Sequence, residues 1–393
     1  MEEMGELFYR DAYIRAFDAE VLSCTKTKNG YGIILNDTAF YPEGGGQPGD
    51  HGRLNEIEVV DTKRTGDGVV HMTKQEILPG TKVHGVIDWE RRFDLMQNHT
   101  GEHMVSGLIH RKYGYDNVGF HMGAVILLDF SGEITPEMMR EIEREANRRI
   151  WQNLEVEITY PDEEELQQLE YRSKKELTGK VRIVNIPDTD ICACCGTHLK
   201  RTGEVGLIHL LSVQKHGEGS RIEMLAGDRA LRYLEGVADQ NTEISHLLSA
   251  KPLETAKAVQ RLSEQNGQLR HRAVQLANSY TAYRVDAMPE SNETVIFRED
   301  GMDADSMRYL ANAAVDQKKA GTAAVICRGE DDSFRYLIIS RTRDLRPAGK
   351  KLNALLNGKG GGRPEMIQGT WCTDEKILTE TLKEVLEENQ VEQ

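Results

Sequence analysis

Hydrophobic residues alternate with polar ones, or form short apolar runs, over the first 89 residues of the chain. A period of two is typical of half-buried β-strands. Glycine-containing turns separate the segments, and short strands at this spacing predict a small β-barrel. The predicted strands cover residues 20–23, 31–35, 57–60, 69–72 and 83–87.

The apolar spacing changes after Trp89 and becomes helical over residues 90–113. Strand-like segments and a helix that begins at Pro136 follow, so residues 90–228 predict an α+β region. Residues 229–285 contain little glycine and predict helices interrupted at Pro252, and residues 286–393 alternate strands with helices in an α/β pattern. The expected fold class is therefore α+β multidomain.

Apolar residues in the second of these predicted helices recur at alternating intervals of three and four, as do the a and d positions of a coiled coil. This spacing predicts a coiled-coil-like linker and a homodimer, although a helix hairpin that packs on itself uses the same spacing. An asparagine at one a position would fix the register at some cost in stability. The positions are Val259, Leu262, Asn266, Leu269, Ala273, Leu276, Tyr280 and Tyr283.

Composition and charge argue against a membrane-spanning protein, a secreted disulfide-rich protein and an indiscriminate nucleic-acid binder. No apolar run approaches the roughly 20 residues of a membrane span, and the acidic N-terminus does not resemble a secretory signal. The six cysteines form no disulfide framework, which favours a cytoplasmic protein with no membrane partner. A net charge of −15 argues against indiscriminate nucleic-acid binding. Residues 335–363, however, hold eight basic residues against one acid, which indicates either a specialised basic face or an ordinary charged loop.

Two segments carry residues suited to binding a metal. His99 and His103 are four apart on a predicted helix, which places both imidazoles on one face. Residues 192–198 read Cys-Ala-Cys-Cys-Gly-Thr-His and supply thiolates and an imidazole in a turn. Together they offer the nitrogen and sulfur ligands that tetrahedral Zn²⁺ prefers. A catalytic zinc, a closed structural zinc and a redox cysteine cluster all fit this pattern.

Two glycine-rich segments are candidates for binding a ligand. Gly44, Gly45 and Gly46 precede Gln47, and three glycines allow a backbone to approach a ligand closely, although a flexible hairpin has the same composition. The second segment is predicted as a glycine-rich turn that could hold phosphates through backbone N–H groups and positive charge. It contains Lys359, Gly360, Gly361, Gly362 and Arg363.

The order of these motifs resembles the editing domain of alanyl-tRNA synthetases. The matching motifs are Thr38 with Gly44-Gly45-Gly46-Gln47, His99-x₃-His103, and Cys194-x₃-His198 followed by Thr202-Gly203-Glu204. The start of the chain, Leu7-Phe8-Tyr9-Arg10-Asp11-Ala12-Tyr13, is similar to that of the stand-alone alanyl-tRNA editing proteins, the AlaX family. Residues 360–369 resemble the DHH-associated RNA-binding domain of the synthetases, so the chain as a whole resembles the long form of the stand-alone editors.

The resemblance implies four parts: a barrel at residues 1–89, a zinc-containing editing domain at 90–228, a helical linker at 229–285 and an RNA-binding domain at 286–393. It implies Zn²⁺ held by His99, His103, Cys194 and His198, although this chain departs from the family pattern, so that Cys192 or Cys195 could replace Cys194. Thr38 matches the family residue that senses the serine hydroxyl, and Gln47 is a second candidate. Glu43 and Glu102 are interpreted as solvated carboxylates.

The implied reaction is hydrolysis of tRNA(Ala) mischarged with serine or glycine. No class II aminoacylation domain precedes the barrel, so the chain is expected not to charge tRNA. Two other functions are compatible with the motifs. One is a non-catalytic tRNA-binding module with a structural zinc, and the other is a zinc hydrolase of another aminoacyl-tRNA.

Overall fold

The computed structural model describes residues 6–173, 181–329 and 333–388. The chain divides into two compact units, Met1–Glu243 and Ile244–Gln393. None of the helices in the described ranges is both long enough and apolar enough to cross a membrane.

The first unit begins with a closed six-stranded barrel, which confirms the predicted fold of the N-terminal segment. Neighbouring strands are antiparallel, in the order β1-β2-β5-β4-β3-β6. A buried apolar core that includes Phe17, Ile33 and Phe40 fills it. The elements are α1 (Leu7–Arg10), β1 (Ala16–Thr27), β2 (Gly30–Leu35), β3 (Gly52–Leu54), β4 (Ile57–Thr65), β5 (Gly68–Thr73) and β6 (Lys82–Ile87). Strand β3 was not predicted, because three residues are too few to show a period of two.

Helix α2 (Trp89–Tyr113) is the central element of the first unit. The Asp88 side chain caps its N-terminus by accepting from the Arg91 backbone N–H, and Gly114 ends it in the left-handed conformation. A buried ion pair between Arg92 and Asp50 fastens the helix to the barrel. Arg92 also donates to the carbonyl oxygen of Ala39 at 2.7 Å, so the start of α2 has a fixed position against the barrel.

Two sheets and helix α3 surround α2. The four-stranded sheet has the order β12-β13-β8-β7, and the three-stranded sheet has the order β11-β10-β9. Apolar residues of α2, α3 and the four-stranded sheet form one buried core. The elements are β7 (Asn117–Met122), β8 (Ile126–Phe130), α3 (Pro136–Gln152), β9 (Glu157–Thr159), α4 (Glu163–Gln168), β10 (Ile183–Ile186), β11 (Asp190–Ala193), β12 (Ile208–His216), β13 (Gly219–Ala226) and α5 (Asp228–Leu247).

The second unit begins with the long helix α6 (Thr255–Asp286), which follows the break predicted at Pro252. Most residues at the predicted a and d positions are exposed in the single chain, including Leu262 at 52%, Leu269 at 67% and Tyr283 at 75%. Only Ala258, Thr281 and Val285 are buried along the helix. The apolar stripe of α6 therefore faces solvent in the monomer.

A five-stranded sheet with the order β14-β15-β16-β18-β17 completes the second unit. Strands β14 and β15 are parallel, whereas the remaining pairs are antiparallel. The elements are β14 (Thr294–Asp300), α7 (Ala304–Asp316), β15 (Thr322–Arg328), β16 (Phe334–Ser340), α8 (Arg346–Leu355), β17 (Gly358–Arg363), β18 (Met366–Trp371) and α9 (Glu375–Glu388).

The glycine-rich segment of this unit is an edge strand, β17, and the prediction of a turn was wrong. Tyr336 and Trp371 stack beneath the sheet with their ring centroids 3.8 Å apart. A Cβ at Gly360 would lie 2.3 Å from the Tyr336 hydroxyl, and one at Gly358 would lie 2.2 Å from the Trp371 ring. Glycine is rare in strands, but here it makes room for this aromatic pair.

Candidate metal centre

Helix α2 and the turn after β11 bring four potential metal ligands together. The ligand atoms of His99, His103, Cys194 and His198 all lie within 4.8 Å of one another. The three histidines are almost fully buried, and Cys194 is half-buried. The His99 and His198 ring centroids are 4.5 Å apart, and Cys194 Sγ is 3.4 Å from His99 Nε2. The structure thus assembles the four residues that the sequence predicts.

The other two cysteines of the cluster occupy different positions. Cys192 groups with His103 and Asp190, and Cys195 is exposed to solvent. Cys194 is therefore the thiol that completes the group of three histidines. Burial opposes its ionisation, but the charges of His99, His103 and His198 outweigh that effect and hold the pKa of the thiol well below its ordinary value.

Hydrogen bonds set the tautomers of the two helix histidines. Gln47 Oε1 accepts from the backbone N–H of Thr197 at 3.1 Å, so this atom is the carbonyl oxygen, and it also lies 2.9 Å from His99 Nδ1. His103 Nδ1 lies 2.8 Å from the Asp190 carboxylate. Both Nδ1 atoms must therefore donate, so that in the neutral form of each ring Nε2 is the nitrogen that carries a lone pair for a metal.

Several buried histidine nitrogens in the group make no hydrogen bond within the described ranges, and this shows whether a metal ion would fit among them. His103 Nε2 and both ring nitrogens of His198 are buried and have no hydrogen-bond partner within the described ranges. An unsatisfied buried polar group costs about 1–3 kcal/mol. A divalent cation among three imidazoles and one thiolate would satisfy these nitrogens and match the ligands preferred by Zn²⁺. The residues present therefore fit a zinc ion.

Glycines allow the surrounding segments to approach His99. A Cβ at Gly196 would lie 2.0 Å from His99 Cε1. Gly46 has a φ of 86°, and a Cβ there would lie 2.5 Å from the Phe120 ring, which itself stacks on His99 with centroids 5.4 Å apart. The loop of Gly44, Gly45 and Gly46 thus packs next to the metal group instead of forming a free hairpin.

The two residues predicted to act on the substrate have different surroundings. Gln47 holds His99 and also donates through Nε2 to the Thr197 hydroxyl at 2.8 Å. Thr38 is buried, and its hydroxyl is 2.8 Å from His71 Nε2 and accepts from the Phe40 backbone N–H. Gln47 therefore contacts the candidate ligand His99 directly, whereas the hydrogen bonds of Thr38 are made within the barrel.

Three polar residues near the group were missed or misinterpreted from sequence. Asp190 is 3% exposed and contacts His103, and Arg172 binds Asp190 through two nitrogens. The interpretation of Glu102 as a solvated carboxylate was wrong, because it is 3% exposed and accepts from Ser106 and Asn117 at 2.9 Å. No sequence signal distinguished these three among the 113 charged residues of the chain.

The basic segment of the second unit is partly engaged in internal contacts. Arg341 pairs with Asp316, and Arg346 pairs with Asp344. Arg343 donates to the Leu386 carbonyl oxygen at 2.9 Å. On strand β17, Lys359 and Arg363 are exposed, as are Gly360, Gly361 and Gly362. The exposed basic face is therefore smaller than the charge count indicates.

A buried group of three histidines and one cysteine, placed between a small barrel and an α+β layer, defines a candidate metal centre. Two family models match the first unit. Residues 181–223 match the threonyl and alanyl tRNA synthetase second additional domain, and residues 9–91 match the class II (A) tRNA synthetases. The first of these segments contains Cys194 and His198.

The chain is a homologue of the alanyl-tRNA editing proteins over nearly its whole length. It is 28% identical to the alanyl-tRNA editing protein Aarsd1 of Rattus norvegicus, across 93% of this chain and 94% of the relative. It is also 31% identical to the alanine–tRNA ligase of Halorubrum lacusprofundi, across 94% of this chain and 42% of the ligase. The C-Ala domain of Aquifex aeolicus alanyl-tRNA synthetase matches 25% of this chain at 22% identity, with a TM-score of 0.21.

Proposed function

We propose that this protein is a trans-editing hydrolase that deacylates seryl-tRNA(Ala), with glycyl-tRNA(Ala) as a further candidate substrate, and that it does not charge tRNA. The observation that carries the proposal is the buried group of His99, His103, Cys194 and His198, in a chain similar to alanyl-tRNA editing proteins along almost all of its length. An aminoacyl ester is already activated, so its hydrolysis needs only a positioned water and a polarised carbonyl.

Zn²⁺ bound by these four residues would supply a Lewis acid that positions the ester and water. The chain's own contribution is to hold the ligands in place. Gln47 accepts a hydrogen bond from His99 Nδ1, and Asp190 accepts one from His103 Nδ1. Each bond keeps a proton on Nδ1 and orients the ring. The positions of the rings are therefore set before a substrate arrives, which lowers the cost of organising the site.

Thr38 is the proposed sensor of the serine hydroxyl. His71 Nδ1 lies 2.9 Å from the Ile33 carbonyl oxygen and must donate to it, so Nε2 of the neutral ring accepts the Thr38 proton. With its proton engaged, the Thr38 hydroxyl can only accept from a ligand. A serine side chain can donate such a bond and an alanine side chain cannot. A site built for a hydroxyl can reject the analogue lacking it by about 10⁴-fold or more.

The second unit is proposed to bind the tRNA body and to mediate dimerisation. Lys359 and Arg363 lie exposed on the glycine-rich edge strand, where they can contact phosphates without reading sequence. The exposed apolar stripe of α6, which includes Leu269 and Tyr283, supports a homodimer. The six free cysteines support a cytoplasmic location.

One observation favours a second function. Four protein ligands fill a tetrahedral shell, and a filled shell is typical of structural zinc. A tRNA-binding module with a structural zinc would bind tRNA, cleave no ester and unfold when the metal is removed.

The deciding experiment is deacylation of seryl-tRNA(Ala) beside alanyl-tRNA(Ala), with and without a zinc chelator. Loss of serine that the chelator blocks, with alanine retained, supports the trans-editing hydrolase. Binding of tRNA with neither ester cleaved would refute it in favour of the binding module. Zinc-dependent cleavage with no preference for the tRNA(Ala) body would indicate a hydrolase of another aminoacyl-tRNA.

A further inference from the structure

We propose that Asp190 and Arg172 form a buried positioning pair that fixes His103 as a metal ligand and raises the metal affinity of the site. The inference rests on the proposed metal centre, but not on the identity of the tRNA substrate. Neither residue belongs to the motifs that the sequence analysis identified, and neither is one of the four proposed ligands.

The geometry of the pair is specific. Arg172 Nε lies 2.7 Å from Asp190 Oδ1, and Arg172 Nη2 lies 2.8 Å from Asp190 Oδ2. The same Oδ2 atom is 2.8 Å from His103 Nδ1. The side chains of Asp190 and Arg172 are only 1% and 10% exposed. This is the two-pronged arrangement in which a guanidinium binds a carboxylate most strongly.

The contacts run from Arg172 to Asp190 to His103, and each one affects the charge or the proton position of the next residue. Arg172 compensates the buried negative charge of Asp190, which would be costly without a partner. The carboxylate accepts from His103 Nδ1 and so keeps the proton on that nitrogen. His103 Nε2 is buried, belongs to the ligand group and has no hydrogen-bond partner among the described residues, and in the neutral ring it is the nitrogen that carries the lone pair.

The fold holds this pair in place from two sides. Gly107 lies one helical turn after His103, and a Cβ there would come within 2.4 Å of Asp190 Cβ and of the Thr189 carbonyl oxygen. The missing side chain lets β11 approach α2. The backbone of Arg172 pairs with β11, since its N–H donates to the Ile191 carbonyl oxygen at 2.8 Å and its own carbonyl oxygen accepts from Ala193 at 2.9 Å.

The two helix histidines consequently have unequal support. His99 donates to the neutral amide of Gln47, whereas His103 donates to an ionised carboxylate. Hydrogen bonds to a charged acceptor are about twice as strong as those between neutral groups. A carboxylate partner also makes the imidazole a better electron donor to a metal. Loss of the Asp190 charge should therefore weaken metal binding without removing any ligand.

The test measures Zn²⁺ binding by the purified full-length protein, in competition with a chromophoric chelator. Asp190→Asn keeps the size of the side chain and removes its charge, and we expect its Zn²⁺ affinity to fall by about 10–100-fold. Arg172→Lys keeps the charge but loses the two-pronged contact, and we expect a smaller loss. The Co²⁺-loaded Asp190→Asn protein should also show shifted absorption bands at saturation, which a purely structural role would not produce.

The chain contains a matched control pair on the four-stranded sheet. Arg221 Nε and Nη2 lie 2.6 Å and 2.8 Å from the two oxygens of Asp129, which also has His216 3.7 Å away. This copy of the arrangement contacts a histidine outside the metal group. Asp129→Asn should therefore leave the Zn²⁺ affinity and the Co²⁺ spectrum unchanged.

The outcomes separate this inference from the proposed function. Wild-type affinity in Asp190→Asn, or an equal loss in Asp129→Asn, would overturn the positioning role while leaving the metal centre intact. A wild-type protein that binds no Zn²⁺ would refute the metal centre itself. If Asp190→Asn does not fold, Arg172→Lys decides the question, because unchanged Zn²⁺ affinity in that variant would likewise overturn the role.

Discussion

The barrel should lose stability in mild acid because of one buried histidine. His71 is fully buried in the barrel, where burial lowers its pKa to about 4, although its bond to the Ile33 carbonyl oxygen opposes the shift. In the unfolded chain a histidine has a pKa of about 6.5. Between these two values the unfolded chain binds a proton that the folded barrel excludes, so acid favours unfolding.

The sign and the size of the effect follow from the two pKa values. The stabilisation is fully present above about pH 6.5 and is lost as the pH falls towards 4. At about 1.4 kcal/mol for each pKa unit, the complete loss is about 3 kcal/mol. Between pH 7 and pH 5 the loss should be about 2 kcal/mol. Below pH 4 both states are protonated, so this contribution stops changing.

Hydrogen exchange of strand β5, which contains His71, and of its neighbour β2 measures this quantity in the intact protein. The opening free energy of β2 and β5 would be determined by mass spectrometry from pH 7 to pH 5, for the wild type and for His71→Gln. The difference between the two proteins isolates His71 from every other titrating group. His84→Gln, which removes a histidine that is 55% exposed on the same barrel, is the control for the His-to-Gln substitution itself.

Parallel pH profiles for the wild type and His71→Gln would refute this reasoning. They would mean that His71 is accessible to protons in the folded barrel or carries a proton already. The second case would also contradict the proposed role of Thr38, because a doubly protonated imidazole cannot accept the Thr38 hydroxyl proton.

Three further predictions test the site and the helix. Gly196→Ala should abolish Zn²⁺ binding, measured as metal content, because the added Cβ would lie 2.0 Å from His99 Cε1. A variant with full metal content would show that Gly196 does not pack against His99 in this way. Thr38→Val should narrow the ratio of kcat/KM for seryl-tRNA(Ala) over alanyl-tRNA(Ala), and an unchanged ratio would exclude Thr38 as the sensor. Leu269→Glu should convert a dimer to a monomer in analytical ultracentrifugation, whereas a dimer that persists would place the interface elsewhere.

The sequence by itself predicted the barrel and the histidines of the candidate metal group, and it left the choice among Cys192, Cys194 and Cys195 open. Alternating apolar residues specify strands, and a spacing of four places His99 and His103 on one helix face. Cys194 and His198 share a short turn in the same way. These are relations between residues close together in the chain, and local geometry is sufficient to predict them. The resemblance to editing proteins indicated that the helix histidines and the turn of residues 194–198 belong to one group.

Only the tertiary structure decided which residues support that group. Asp190 is 87 positions from His103, and Gln47 is 150 positions from Thr197, so no local period could connect them. The same holds for Glu102. Its sequence context predicted a solvated carboxylate, but in the folded chain it is buried and accepts a hydrogen bond from Asn117. A side chain's charge state and role depend on what packs around it, and that packing is set by the assembled fold.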